Sequence, residues 1–325
     1  MRPLLEVDSL AVTLPGPTGP LPILHDVSFT VGEGEMVGIA GESGCGKSLT
    51  AQTLLGLLPA GAKVTGSARF DGTELLSLDS RRWQKVRGAG IAMVFQDPTA
   101  ALHPMLTVGR QLTEHMQVHL GLDRRAADRR AVELLDQVRI PDPQRAVRAY
   151  PHQFSGGMRQ RAAIAIALAA RPRLLIADEP TTALDVTVQA GILALLDQLR
   201  AETGLAVAFI THDLGVLSAL TTRGYVFYAG RVVETGPTGA LLTAPRHPYT
   251  AALLGARPHG TQAVGTLRPI PGGPPTPGQA PPGCPFQPRC GYAEPSCGTA
   301  PPPLSPAGTD RSVACVVRPH LEVAA

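Results

Sequence analysis

Short apolar runs bounded by glycine or polar residues alternate with longer stretches whose apolar positions recur every three or four residues. Residues 37–40, 174–177 and 206–210 are runs of the first kind. Their length and lack of alternation predict strands buried on both faces, as in a parallel sheet. Residues 49–58, 108–120 and 126–138 carry the helical spacing. Two early alternating segments, 4–14 and 23–31, flank a turn rich in proline and glycine and predict an antiparallel edge. Between 97 and 170 the pattern is almost entirely helical, which predicts a helical subdomain inserted between strands. Strands alternating with helices in this way predict an α/β fold with a covered sheet.

Proline changes the picture near residue 236, with 13 of the 32 prolines before that point and 19 after it. Proline removes a backbone donor and interrupts helices and strands alike, so the last 90 or so residues are expected to be mostly loop. Apolar residues are 44% of the 325, ordinary for a globular chain, and a net charge of +3 is too small to point to nucleic acid. No apolar run approaches the roughly 18 residues that span a bilayer. The first residues lack a basic stretch leading into a continuous apolar core, so a cytosolic location is expected. In that compartment the five cysteines, four of them within the last 42 residues, point to metal or redox chemistry rather than disulfides.

The strongest local signal is Gly41-Glu42-Ser43-Gly44-Cys45-Gly46-Lys47-Ser48, a G-x-x-x-x-G-K-[ST] string between an apolar strand and a helical pattern. Its glycines allow backbone N–H groups to converge on phosphate oxygens, and the following helix adds its positive end. Lys47 is expected to bridge the β and γ phosphates of ATP, and Ser48 to ligate Mg²⁺. Cys45 is either a redox-sensitive thiol or a small filler whose backbone does the binding; the filler reading is preferred. A second strand delivers Asp178 and Glu179 at its C-terminal end, where ligands of open α/β sheets bind. Asp178 is placed to hold Mg²⁺ and Glu179 to orient and deprotonate a water.

Phe154-Ser155-Gly156-Gly157-Met158-Arg159-Gln160-Arg161, about 20 residues before these carboxylates, resembles the signature segment of ABC ATPases. The resemblance covers residues 1–255 and implies a P-loop ABC ATPase domain: a RecA-like mixed sheet core with an antiparallel β edge and the inserted helices. It leaves 256–325 as a Pro-rich, Cys-containing extension. It implies that Ser155, Gly156 and Gly157 reach the γ-phosphate of ATP held by a second subunit. It further implies that Gln96 touches Mg²⁺ and the attacking water, that His212 contacts the γ-phosphate, and that Ala183-Leu184-Asp185 faces the partner across the dimer. The early segment 14–24 has no aromatic where the family places one under adenine; Leu14 and Ile23 are the apolar alternatives there. A soluble, non-transport ABC ATPase is the competing class. An ordinary P-loop kinase or GTPase is disfavoured by the 154–161 segment and His212.

Gly41-Glu42-Ser43-Gly44, Phe95-Gln96-Asp97-Pro98, the segments 150–161 and 177–189, and His247-Pro248-Tyr249-Thr250 with Leu253-Leu254 resemble the dipeptide, oligopeptide and nickel importer branch. Met158 and the Thr181-Thr182 pair resemble its D-type ATPase. The partners implied are a related F-type ATPase, two permeases and a substrate-binding protein, at the cytoplasmic face of the membrane. The cargo implied is a di- or oligopeptide, with nickel or another small solute as the alternative. Cys284, Cys290, Cys297 and Cys315, separated by 5, 6 and 17 residues, also resemble the branch. Some members carry a [4Fe–4S] cluster at these cysteines; zinc and a metal-free cluster are the alternatives. Phe286 and Arg289 belong to the same pattern.

Overall fold

The computed structural model describes residues 3–17, 19–182, 184–256, 269–318 and 321. Ala183, part of the partner-facing segment expected above, lies outside the described residues. In chain order the elements begin β1 (Leu5–Gly16), β2 (Gly19–Val31), β3 (Met36–Ala40), α1 (Lys47–Thr53), β4 (Lys63–Phe70), β5 (Thr73–Glu74), α2 (Ser80–Val86) and β6 (Ile91–Val94). Then come α3 (Pro98–Ala101), α4 (Val108–Leu120), α5 (Arg124–Gln137), α6 (Pro143–Ala146), α7 (Gly156–Leu168), β7 (Leu174–Asp178), α8 (Val186–Thr203) and β8 (Ala206–Thr211). The last are α9 (Leu214–Leu220), β9 (Arg223–Tyr228), β10 (Arg231–Pro237), α10 (Thr238–Thr243), α11 (Pro248–Gly255), β11 (Ser305–Pro306) and β12 (Ser312–Val313).

These elements form two compact units. One contains Met1–Leu4, Val31–Glu35 and Ser77–Ile210; the other contains Leu5–Thr30, Met36–Leu76 and Thr211–Ala325. In the first unit β8, β7 and β6 are consecutive parallel neighbours, with Leu174 opposite both Ala206 and Ile91. Every residue of β7 and β8 is buried, which is why their sequences run apolar without alternation. Helices α3 to α7 lie between β6 and β7 in the chain. Most start at a side-chain cap: Asp123 accepts from the Ala126 N–H at 2.8 Å, and Ser155 from the Met158 N–H at 3.3 Å.

In the second unit β2, β1, β4 and β5 form a four-stranded sheet whose β1–β4 and β4–β5 pairings are antiparallel. Leu5 and Val7, then Leu10 and Val12, are buried. The alternation slips by one because the register shifts between Asp8 and Ala11, where Ser9 takes a φ of 48°. Strand β3 pairs in parallel with β9, β9 pairs antiparallel with β10, and β10 pairs with β12 of the tail.

Two expectations change. The helix expected over 49–58 spans Lys47–Thr53, and residues 54–58 lie outside it. Gly56 adopts a φ of 61°, its N–H bonds to the Thr53 carbonyl, and the Leu57 N–H bonds to the Gln52 carbonyl. That pair of bonds is the left-handed stop that glycine permits. The proline-rich portion is also less irregular at its start than expected, because α10 and α11 fall after residue 236. Beyond residue 269 the described tail holds only 3₁₀ turns and two-residue strands.

Candidate nucleotide site

In the second unit, the buried strand β3 runs directly into the glycine-rich loop at residues 41–48. Gly46 has a φ of 105°, and a Cβ there would lie 2.5 Å from Leu24 Cδ2. At Gly41 a Cβ would lie 2.3 Å from the Phe227 carbonyl oxygen. Backbone therefore excludes a side chain at Gly41, whereas at Gly46 one would strain the left-handed backbone and displace Leu24. Gly44 also has positive φ, at 79°, and open space around it. Lys47 is 4% exposed, and its ammonium donates to the carbonyls of Gly41 at 2.8 Å and Glu42 at 3.0 Å. Lys47 and Ser48 open α1, where Thr50 returns a hydroxyl bond to the Gly46 carbonyl. Burial pushes the Cys45 thiol up, against the opposing pull of Lys47. A protonated, buried thiol is a poor nucleophile, which favours the filler reading of Cys45.

Glu42 and Ser43 complete the loop. The Glu42 N–H donates to the Tyr249 hydroxyl at 2.8 Å, and its carboxylate pairs with Arg289 at 2.7 Å. Tyr249 is fully buried at the start of α11, and Arg289 belongs to the tail. The sequence pointed to both residues as branch marks, but not to these contacts. His212 is exposed one residue beyond β8, and the next residue, Asp213, caps α9 by accepting from the Gly215 N–H at 2.8 Å.

In the first unit, β7 ends at Asp178, 4% exposed, followed by Glu179, 8% exposed. Glu179 takes a φ of 46°, a left-handed conformation that costs a non-glycine residue about 1–3 kcal/mol. Its N–H bonds to the Ile210 carbonyl at 3.0 Å. Its carboxylate accepts from Gln96 Nε2 at 3.2 Å and from the Thr182 hydroxyl at 2.9 Å. The fold thus brings Gln96 and Glu179 together, and adds Thr182, three residues on. In the sequence Thr182 stands out only as a subtype mark.

Ser155, Gly156 and Gly157 open α7 with Ser155 and Gly156 exposed. Asp185 caps α8 by accepting from the Val188 N–H at 2.9 Å. A Cβ on Gly157 would lie 2.7 Å from Val188 Cγ1, so the two helix starts pack closely. Val186 beside Asp185 is 81% exposed.

The side chains expected to hold Mg²⁺, those of Ser48, Asp178 and Gln96, each carry oxygen, the donor type that suits such a hard cation. In the tail, Cys284, Cys290, Cys297 and Cys315 are free thiols lining one cavity of about 20 Å³, together with His247 and Phe286. Burial raises the thiol pKa of both Cys284 and Cys290. Among the described residues, no three His, Cys, Asp or Glu side chains stand where they could hold one metal ion. Neither zinc nor an iron–sulfur cluster therefore has a preformed site among the described residues.

Residues 24–182 match the ABC transporter family, and residues 233–297 match the oligopeptide/dipeptide transporter C-terminal region. The chain is 50% identical over 94% of its length to a putative peptide import ATP-binding protein of Brucella melitensis, covering 92% of that protein. It is 47% identical over 92% of its length to the oligopeptide transport ATP-binding protein OppD of Salmonella typhimurium, covering 89% of it. The chain belongs to the ABC transporter ATP-binding family. As a P-loop ABC ATPase it also resembles a solved dimer of the ATP-binding cassette MJ0796 in a post-hydrolysis state with ADP and Pi. That match has a TM-score of 0.65 at 30% identity and covers 72% of this chain and 98% of that one. The fold and ATPase activity expected from the motifs thus stand. No helix among the described residues of this ABC ATPase is long and apolar enough to cross a membrane.

Proposed function

We propose that this ABC ATPase energises the import of di- or oligopeptides, acting at the cytoplasmic face of the membrane on two permeases. The observation that carries this reading is the match of residues 233–297 to the oligopeptide/dipeptide transporter C-terminal region. The ATPase part is assigned to residues 1–255, with its helical subdomain at about 97–170 and the extension at 256–325. The second ATPase is a related F-type chain, and an extracytoplasmic binding protein delivers the cargo. A nickel or other small-solute importer is the alternative within the branch.

In this reading Gly41, Ser43, Gly44, Cys45 and Gly46 offer backbone N–H groups to phosphate, Glu42, whose own N–H is bonded to Tyr249, contributes by shaping the loop, and Lys47 neutralises the phosphate charge. Ser48, Asp178 and Gln96 hold Mg²⁺, which when bound would offset the charge on the phosphates. Glu179 accepts the proton of the attacking water, and Gln96 and Thr182 hold its carboxylate in place. His212 contacts the γ-phosphate. Ser155, Gly156 and Gly157 complete the site of a second chain, with Asp185 facing that chain. ATP then makes contacts that exist only when two chains close, and hydrolysis removes them, so closing and opening follow differential contacts.

The four tail thiols are proposed as ligands of a [4Fe–4S] cluster; they line one cavity, which at about 20 Å³ would have to widen to admit the cluster. When bound, it would tie together segments of the tail far apart in sequence. Iron and acid-labile sulfide in anaerobically purified protein, lost in Cys284→Ser, are the expected result; iron-free wild type contradicts it. The transport reading is tested by co-purification with the permeases encoded beside it, followed by ATPase assay with and without peptide-loaded binding protein. Peptide-dependent stimulation is expected. A purified complex indifferent to peptide but stimulated by a nickel-loaded binding protein would move the assignment to the alternative.

A further inference from the structure

A tail residue grips the phosphate loop. Arg289 follows the turn that begins at Cys284 and immediately precedes Cys290. That turn is fixed by its backbone: the Gln287 N–H bonds to the Cys284 carbonyl at 3.0 Å, Arg289 to Phe286 at 3.0 Å, and Cys290 to Gln287 at 3.2 Å. The Arg289 side chain is 5% exposed and reaches Glu42, 247 positions earlier. Its two terminal nitrogens meet the two Glu42 oxygens at 2.7 and 3.0 Å, the fork-to-fork geometry of the strongest ion pairs.

A guanidinium has five N–H donors. Here Nε bonds to the Pro271 carbonyl at 2.9 Å, and the terminal nitrogens add Tyr228 Oη at 3.3 Å and the Gly272 carbonyl at 3.4 Å. With the two bonds to Glu42, five partners meet five donors. The guanidinium also sits 5.8 Å from the Tyr228 ring centroid and 5.9 Å from that of Phe286.

Glu42 is consequently held at three points. Its N–H is fixed by Tyr249, its carbonyl receives the Lys47 ammonium at 3.0 Å, and its carboxylate is fixed by Arg289. A loop that binds phosphate through its main chain depends on main-chain position, and Glu42 lies between Gly41 and the rest of that loop.

We propose that Arg289 is a positioning residue for ATP, and that through its fork to Glu42 the cysteine-bearing turn keeps the phosphate loop in its nucleotide-accepting shape. This rests on the reading of residues 41–48 as the phosphate loop. In this account the extension contributes to the nucleotide site of its own chain. Arg289 acts on binding, through Glu42, and takes no part in the chemistry at the γ-phosphate.

The test measures Mg·ATP affinity and steady-state turnover in full-length Arg289→Met, Arg289→Lys, Glu42→Gln and Lys47→Ala. Arg289→Met is expected to raise KM for ATP by on the order of tenfold, with kcat within about twofold. Arg289→Lys, which keeps the charge and loses the fork, should fall between it and wild type. Glu42→Gln should raise KM similarly, and the double variant with Arg289→Met should add little further. Should Arg289→Met not fold, Glu42→Gln and Arg289→Lys decide the matter through the same split. Wild-type KM in folded Arg289→Met, or in both of those variants, overturns the inference. So does a fall in kcat alone, or full additivity in the double variant. Lys47→Ala separates the two readings: normal ATP binding there would remove the phosphate-loop assignment itself. Lost binding in Lys47→Ala beside a silent Arg289→Met removes only the role of Arg289.

Discussion

Replacing Glu179 by Gln should separate catalysis from stability. The two side chains are nearly the same size, and the amide oxygen can still accept from Gln96 Nε2 and the Thr182 hydroxyl, now at 3.2 and 2.9 Å from the carboxylate. Two hydrogen bonds to a charged acceptor become two to a neutral one, a loss of about 1 kcal/mol each by typical values. Against this, an 8% exposed carboxylate no longer has to be kept charged away from water, which offsets much of that loss. The net effect on stability should stay within about 1 kcal/mol. The chemical step loses its base, and general bases contribute about 10²–10⁴ in rate. That corresponds to about 3–5 kcal/mol of barrier. Steady-state phosphate release, thermal unfolding and the amount of ATP retained after rapid gel filtration would be measured on the same preparation. The expected outcome is an unchanged fold, turnover reduced at least a hundredfold, and ATP retained unhydrolysed. Turnover within threefold of wild type would show that Glu179 is not the base.

Two further changes test other parts of the account. Gly46→Ala puts a side chain on a φ of 105° with its Cβ 2.5 Å from Leu24 Cδ2. Left-handed strain of about 1–2 kcal/mol and overpacking of about 1–3 kcal/mol should lower the melting temperature by several degrees and ATP affinity at least tenfold. Unchanged calorimetry and binding would refute the loop geometry. His247 is fully buried and accepts from the Tyr249 N–H through Nδ1, and burial lowers its pKa to about 4, against a weaker opposing bond with Ala314. The unfolded chain therefore takes up a proton near pH 6.5 that the folded chain refuses until about pH 4. Stability from this group is full above pH 6.5 and falls through that window, by about 3 kcal/mol in all. Urea titrations at pH 7.5 and 5 should show a loss that His247→Asn lacks; equal slopes in both proteins would contradict it.

What the sequence made legible follows from how local each cause is. The 41–48 loop could be read because its backbone demands glycine at fixed offsets, through the Phe227 carbonyl against a Cβ at Gly41 and the left-handed φ of 105° at Gly46. Helix α4 has the expected limits because Thr107 caps its start and Gly121, at a φ of 63°, ends it. Helix α1 was expected to run five residues too far because its apolar spacing continues past Gly56, whose left-handed turn overrides periodicity. Strands β4 and β5 went unread: β4 buries only Ala68 and Phe70, leaving little apolar alternation to see. The contacts of Arg289 and Tyr249 with Glu42 join residues more than 200 positions apart, and no local pattern encodes them.

The central claim is that one ATP is turned over by the phosphate loop of one chain and the signature segment of another. A mixing experiment tests it most directly, under conditions where the wild-type chain hydrolyses ATP as a homodimer in the absence of its F-type partner. Ser155→Arg leaves the phosphate loop intact and Lys47→Ala leaves the signature intact, so a dimer of either alone has no complete site. Random pairing of the two should restore one complete site in half of the dimers, about a quarter of wild-type turnover in a two-fold assembly. Recovery of that size from two inactive parents is the predicted result. Wild-type turnover by Ser155→Arg alone, or a mixture as inactive as its parents, would contradict the account.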